Sequence, residues 1–134
     1  MTYFEATVGE FVELYKGLEA VKNVKGTRFA FLVAKNIKEL ENTLKPYEDM
    51  ARPSQEFQVI AAQAHKLAEA EDQEGIEKLE EEHKDLVEQR KQQLAEVDKE
   101  MQQTIKVALE QINEGQLPSD LTTDQLLPIM RLIK

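Results

Sequence analysis

The chain has 134 residues, of which 41% are hydrophobic, 32% charged and only 6% aromatic, and it carries a formal charge of −9 with no Trp and no Cys. That length suits one compact domain, and the lack of cysteine excludes a disulfide framework, a thiolate metal site and a cysteine nucleophile. The acidity argues against nonspecific binding to nucleic acid or to an anionic membrane surface, both of which need net positive charge.

Taken in chain order, Thr2-x-x-Glu5 and Thr7-x-x-Glu10 read as capping boxes, with Val8, Phe11, Leu14, Tyr15, Leu18 and Val21 at helical spacing behind them. They predict a helix over 4–21. Lys22-Asn23-Val24-Lys25-Gly26 reads as a turn, because Asn and Gly tolerate left-handed backbone. Thr27 then caps a second helix over 27–45, with a heptad-like seam of Ala30, Val33, Ile37, Leu40, Leu44 and Tyr47. Pro46 disfavours helical geometry at Lys45 and should end or kink it there.

Pro53 fits the first turn of a third helix over 54–72, with Phe57, Ile60, Ala61, Ala64, Leu67 and Ala68 facing inward. Asp72 and Gly75 suggest a turn, and a long polar helix follows over 76–113, supported by Glu74→Lys78 and Glu80→Lys84 pairs. A single rod through Gly75 would cost only about 1 kcal/mol, but an antiparallel hairpin buries more apolar surface and is preferred. Ile105, Val107 and Leu109 alternate as in a strand, whereas Ile105, Ala108 and Ile112 suit a continuing helix. With no second strong strand to pair with, the helical reading is taken and an extended 104–112 is the alternative. Gly115 and Leu117-Pro118-Ser119-Asp120 end it; Thr122-x-x-Gln125 opens a short closing helix over 122–132, limited by Pro128. Its apolar residues need cover from the chain or from a second subunit. The fold class expected is therefore all-α, one helical domain over 1–134 built as an antiparallel bundle.

Few residues carry chemistry. Glu80-x-x-His83 has the spacing of one metal-chelating pair, but a di-iron bundle needs a second, and His65 has Ala62 three residues before it. Ser54 and Ser119 stand beside prolines, where capping and turn roles are ordinary, and the five glycines form no phosphate loop. No catalytic residue, no metal site and no cofactor is expected. The suggestive feature is the basic turn. Residues 1–52 balance eight acidic against eight basic side chains, while residues 53–134 hold eighteen against nine, so an anion-binding surface belongs in the first third. There Lys22, Lys25, Thr27 and Arg28 gather at a helix start and form the candidate ligand-binding set. The longest apolar run, Phe29-Ala30-Phe31-Leu32-Val33-Ala34, is too short for a signal h-region or a membrane span, so a soluble, cytoplasmic protein is expected.

Lys25-Gly26-Thr27-Arg28-Phe29-Ala30-Phe31-Leu32-Val33-Ala34-Lys35-Asn36, the acidic Leu40-Glu41-Asn42-Thr43-Leu44-Lys45-Pro46-Tyr47-Glu48, and the closing stretch from Leu117-Pro118-Ser119-Asp120-Leu121 to Leu132-Ile133 together make up about half the chain. In these stretches the chain resembles a family of small helical proteins encoded by tailed bacteriophages. The resemblance implies a viral setting, no catalytic residues, and an extended backbone near 104–112. The functional expectation is a non-enzymatic phage-encoded protein, homo-oligomeric, that binds a host protein or a small phosphate-bearing ligand in the host cytoplasm. The alternative is a virion assembly or connector component acting through helix-mediated oligomerisation.

Overall fold

The first element is a strand. In the computed structural model, which describes residues 1–134, β1 (Thr2–Thr7) pairs antiparallel with β2 (Thr104–Leu109), Thr2 lying opposite Leu109 and Thr7 opposite Thr104. The all-α expectation is corrected to a mainly helical chain with one two-stranded sheet. The cause is a period of two: Phe4 and Ala6 share a face with Ile105, Val107 and Leu109, and Ala6, Val107 and Leu109 are buried there. Thr, Tyr and Phe favour strand geometry, and each strand supplies the partner that the other's backbone groups require. Thr2-x-x-Glu5 caps nothing. The helix begins one box later, where the Glu10 N–H donates to the Thr7 hydroxyl and the Thr7 N–H to the Glu10 carboxylate, both at 3.1 Å.

By their contacts the residues fall into two compact units, 1–46 with 100–134, and 47–99. In the first, α1 (Val8–Val21) buries Val8, Phe11, Leu14, Gly17, Leu18 and Val21, the predicted stripe with Tyr15 half-exposed at its margin. Helix α2 (Thr27–Ala51) contributes its residues up to Pro46 and buries Phe29, Leu32, Val33, Asn36, Leu40 and Leu44. Its inner face is rotated from the predicted seam, leaving Ala30 and Ile37 half-exposed, because Phe29 and Leu32 offer more apolar surface than Ala30. Asn36 sits on this face fully buried and satisfied: its side-chain NH2 donates to the Glu110 carbonyl at 2.9 Å, and its carbonyl accepts the Glu110 N–H at 2.7 Å. The helix also runs through Pro46 instead of stopping at residue 45. Pro46 and Asn42 are both exposed, so the Asn42 carbonyl that Pro46 cannot serve is left to water.

The expected helix over 122–132 is two short pieces, α6 (Thr123–Leu126) and a 3-10 turn at Leu127–Leu132. Thr122 caps α6 in the expected box, the Gln125 N–H donating to its hydroxyl at 3.2 Å. Ile129 and Leu132 are fully buried in this unit, the Ile112 N–H donates to the Leu132 carbonyl, and the Lys134 N–H donates to the Ile112 carbonyl, each at 2.8 Å. Part of the apolar C-terminal stretch is thus covered by the chain itself.

The second unit holds the end of α2, α3 (Gln55–Glu69), α4 (Gln73–Glu82) and α5 (Lys84–Met101) as far as Lys99. Ser54 caps α3 and Asp72 caps α4, accepting from the Phe57 N–H at 3.1 Å and the Gly75 N–H at 2.9 Å. The single helix expected over 76–113 is broken at His83, whose φ of −117° and ψ of 33° leave the helical region, and α5 stops at Met101 before β2. The Glu80–Lys84 pair straddles that break, and neither it nor Glu74–Lys78 closes as an ion pair; the ion pairs that do close here are Arg52–Asp49 and Lys99–Glu96, and His65 Nε2 lies 3.1 Å from the Glu69 carboxylate. The last carbonyls of α2 are taken by side chains of α5: the Arg90 guanidinium donates to the Ala51 carbonyl at 2.8 Å, and the Gln93 amide to the Met50 carbonyl at 2.7 Å. Of the inward set predicted for α3 only Ile60 is buried; Phe57, Ala64 and Leu67 are half-exposed and Ala61 and Ala68 exposed.

Candidate functional site

The turn between α1 and α2 is held by Gly26, whose φ of +134° lies where side chains are strained. Helix α2 starts at Thr27, so Gly26 rather than Thr27 occupies the position before the helix. The four residues singled out in the turn do not form one cradle. Lys22 ends α1, and its Nζ lies 2.7 Å from a carboxylate oxygen of Glu19. The hydrogen bond in that pair holds Glu19 below the usual carboxylate range and Lys22 above its own. Lys22 therefore already has an anion. It lines a groove of about 500 Å³ with Glu19, Ala30, Ala34, Ile37 and Glu41 among its walls. Two carboxylates, Glu19 and Glu41, and two ammonium groups, Lys22 and Lys38, line the groove, so it carries no strong preference for either sign. In the same unit the Tyr15 hydroxyl donates to Glu41 at 3.0 Å. Burial, with the Glu41 and Glu19 carboxylates, pushes that phenol up to about 12.

Arg28 belongs to another face of α2. Its guanidinium carbon stands 5.7 Å from the ring centroid of Phe31, and the Nζ of Lys35 stands 5.6 Å from the same centroid. Spacing of three and then four residues stacks the three side chains along one face of the helix. Phe31 is 52% exposed, so the ring is an open aromatic surface bracketed by two cations. Lys35 also pairs with Glu110 at 3.1 Å, and that hydrogen bond, with a smaller contribution from Arg28, holds the Glu110 carboxyl below its usual range. The base of the patch is fixed, because Asn36 clamps both backbone groups of Glu110.

Chemically the patch offers a planar guanidinium fork suited to a carboxylate or phosphate, a second cation, and a ring face for an apolar or planar group. Lys25 and Thr27 are exposed at the adjoining turn. The remaining polar candidates stay in structural roles: Ser54 caps a helix, Ser119 lies in a turn, and His83 ends α4 half-buried. No group of three or more His, Asp or Glu side chains is arranged to hold a metal ion. Sequence reasoning passed over Phe31, Lys35 and Glu110. Phe31 was visible as an aromatic residue outside the predicted seam and three residues from Arg28; Glu110 is remote in sequence and gave no signal. Comparisons of the chain with protein-family models, with curated proteins and with solved structures return no match.

Proposed function

We propose that this chain is a non-enzymatic, phage-encoded interaction protein that binds an acidic segment of a host protein, or a small phosphate-bearing ligand, through Arg28, Phe31 and Lys35. One observation carries the reading: two cations bracket a half-exposed aromatic ring on an otherwise solvated face of α2. An aromatic ring left in water gains from being covered, and the cations beside it select the charge of what covers it. Arg28 makes no ion pair within the chain, so an incoming anion meets a guanidinium without first displacing a carboxylate. Lys35 would exchange Glu110 for the ligand. The acidity elsewhere then works as selectivity, repelling polyanions such as nucleic acid while leaving one cationic spot open.

The test is titration calorimetry of the protein with acidic peptides carrying one aromatic residue and with a phosphate-bearing nucleotide, at low and at raised salt. Binding is expected to weaken with salt and to be abolished by Arg28→Glu, with the far-ultraviolet circular dichroism unchanged. Unchanged affinity in Arg28→Glu, or in the Arg28→Glu/Lys35→Glu double variant, removes the patch from the function.

A further inference from the structure

We propose that β1 is a self-association edge: it pairs antiparallel with β1 of a second copy, joining two two-stranded sheets into one four-stranded sheet. The ladder with β2 uses one edge of β1, and no other backbone hydrogen bond reaches residues 1–6, so the second edge presents free N–H and C=O groups. The outer edge of β2 likewise has no further backbone partner over Thr104–Leu109, but that strand carries Lys106, one of the devices by which exposed edges avoid pairing. The open edge of β1 is lightly guarded. Thr2-Tyr3-Phe4-Glu5-Ala6-Thr7 contains no Lys and no Pro, two of those devices, and Glu5 is its one charged residue. Tyr3 beside it is 75% exposed and Met1 62%.

Symmetry and charge choose the occupant. A two-fold axis between antiparallel strands keeps the inward faces of both copies on one side, which requires inward residues to lie opposite inward residues. Two registers meet this condition over five pairs of β1, and one of them sets Phe4 opposite Phe4 of the second copy, Thr2 opposite Ala6, and Tyr3 opposite Glu5. A shift that set Glu5 against Glu5 would oppose like charges and is disfavoured. The unit containing β1 holds eleven acidic and ten basic side chains, whereas residues 47–99 hold fifteen and seven. Two copies therefore meet with least repulsion at the nearly neutral unit. An extended segment of an unrelated protein would satisfy the backbone groups equally but would not need this self-complementary register.

Sedimentation equilibrium of the full chain tests this across a concentration series. The expected result is a monomer–dimer equilibrium that tightens with added salt, because each copy carries −9 and screening reduces the repulsion. Tyr3→Glu, at an exposed position, sets a carboxylate opposite Glu5 of the second copy and is expected to leave a monomer whose thermal melt matches that of the parent protein at a dilution where the parent is monomeric. Because the chain lacks cysteine, single-cysteine variants report the register: a mixture of Tyr3→Cys and Glu5→Cys copies should form disulfides under mild oxidation. Either variant alone should not, since residues offset by two positions lie about 7–8 Å apart, outside disulfide range. A monomer at every concentration overturns the proposal. So does a dimer that survives Tyr3→Glu, or cross-linking that is as strong in single variants as in the mixture. None of these residues belongs to the Arg28–Phe31–Lys35 patch, so loss of ligand binding and loss of pairing are read separately.

Discussion

Asn36 shows how much one side chain can decide. It is the only buried polar residue, and its two hydrogen bonds fasten the end of β2 to the middle of α2. Asn36→Ala leaves a backbone N–H and C=O of Glu110 without partners, at a cost of about 1–3 kcal/mol. Urea denaturation should show that loss as a lower midpoint with an unchanged slope. Asn36→Asp should be no better, because a carboxylate accepts from the N–H but cannot donate to the carbonyl. An unchanged midpoint in both would mean that water replaces the side chain at no penalty. A second residue sets the response to acid. Glu10 lies 2.6 Å from the Arg131 guanidinium, and that hydrogen bond, with those from Thr7, holds its carboxyl below the ordinary value. A depressed carboxyl contributes stability above its unfolded pKa, near 4.3, and loses it as the pH falls through the lower folded value. Glu19 and Glu110 carry the same sign. The melting temperature should therefore fall modestly below about pH 4, a window set by the ordinary glutamate value, because these exposed ion pairs are screened by solvent, and Glu10→Gln should flatten that limb. Neither Asn36 nor Arg131 was legible in the sequence as a partner, since both contacts join residues more than seventy positions apart. The caps at Thr7, Ser54 and Thr122 were legible because their partners lie three residues away.

At the scale of elements, α1 and the 3-10 turn at Leu127–Leu132 approach closely at Gly17. A Cβ on Gly17 would stand 2.6 Å from the Cβ of Pro128 and 3.2 Å from the Cγ2 of Ile129. Alanine is the better helix former by about 1 kcal/mol, but overpacking against a ring tied to the backbone costs about 1–3 kcal/mol. Gly17→Ala should accordingly destabilise the protein, and Pro128→Gly should recover part of the loss in the double variant, giving a coupling energy well above zero. Additive effects would show that the turn moves away freely. The same scale explains where reading the sequence succeeded and failed. Helix α1 follows from six apolar positions at one spacing, and all but Tyr15 are buried. The strands were harder, because each is only six residues long and β1 is followed at once by a capped helix. Two capping boxes in a row made Thr2–Thr7 look like the first turn of that helix. Alternation in Ile105, Val107 and Leu109 was visible, but a lone strand is rejected until its partner is found, and the partner lies about a hundred residues away.

Burial is distributed unequally over the whole molecule. Of the buried apolar side chains only Ile60 and Val97 fall within residues 47–99, while Phe11, Leu18, Phe29, Leu32, Leu40, Leu109, Ile129 and Leu132 are among those in the other unit. Periodicity could not reveal this, because an amphipathic stripe records which face is apolar and not how completely that face is covered. Opening free energy follows buried contacts, so the two units should not open together. Hydrogen exchange followed by mass spectrometry should show peptides from α3 and α4 losing protection first. Those from α1 and β2 should exchange only through global unfolding. Charge gives the ordering a second handle. Residues 47–99 hold fifteen acidic side chains against seven basic, so self-repulsion opposes their compaction and added salt should slow their exchange more than that of the nearly neutral unit. A single exchange regime in all peptides, indifferent to salt, would show one cooperative unit and would mean that half-exposed residues such as Phe57 and Leu67 contribute as much as a closed core does.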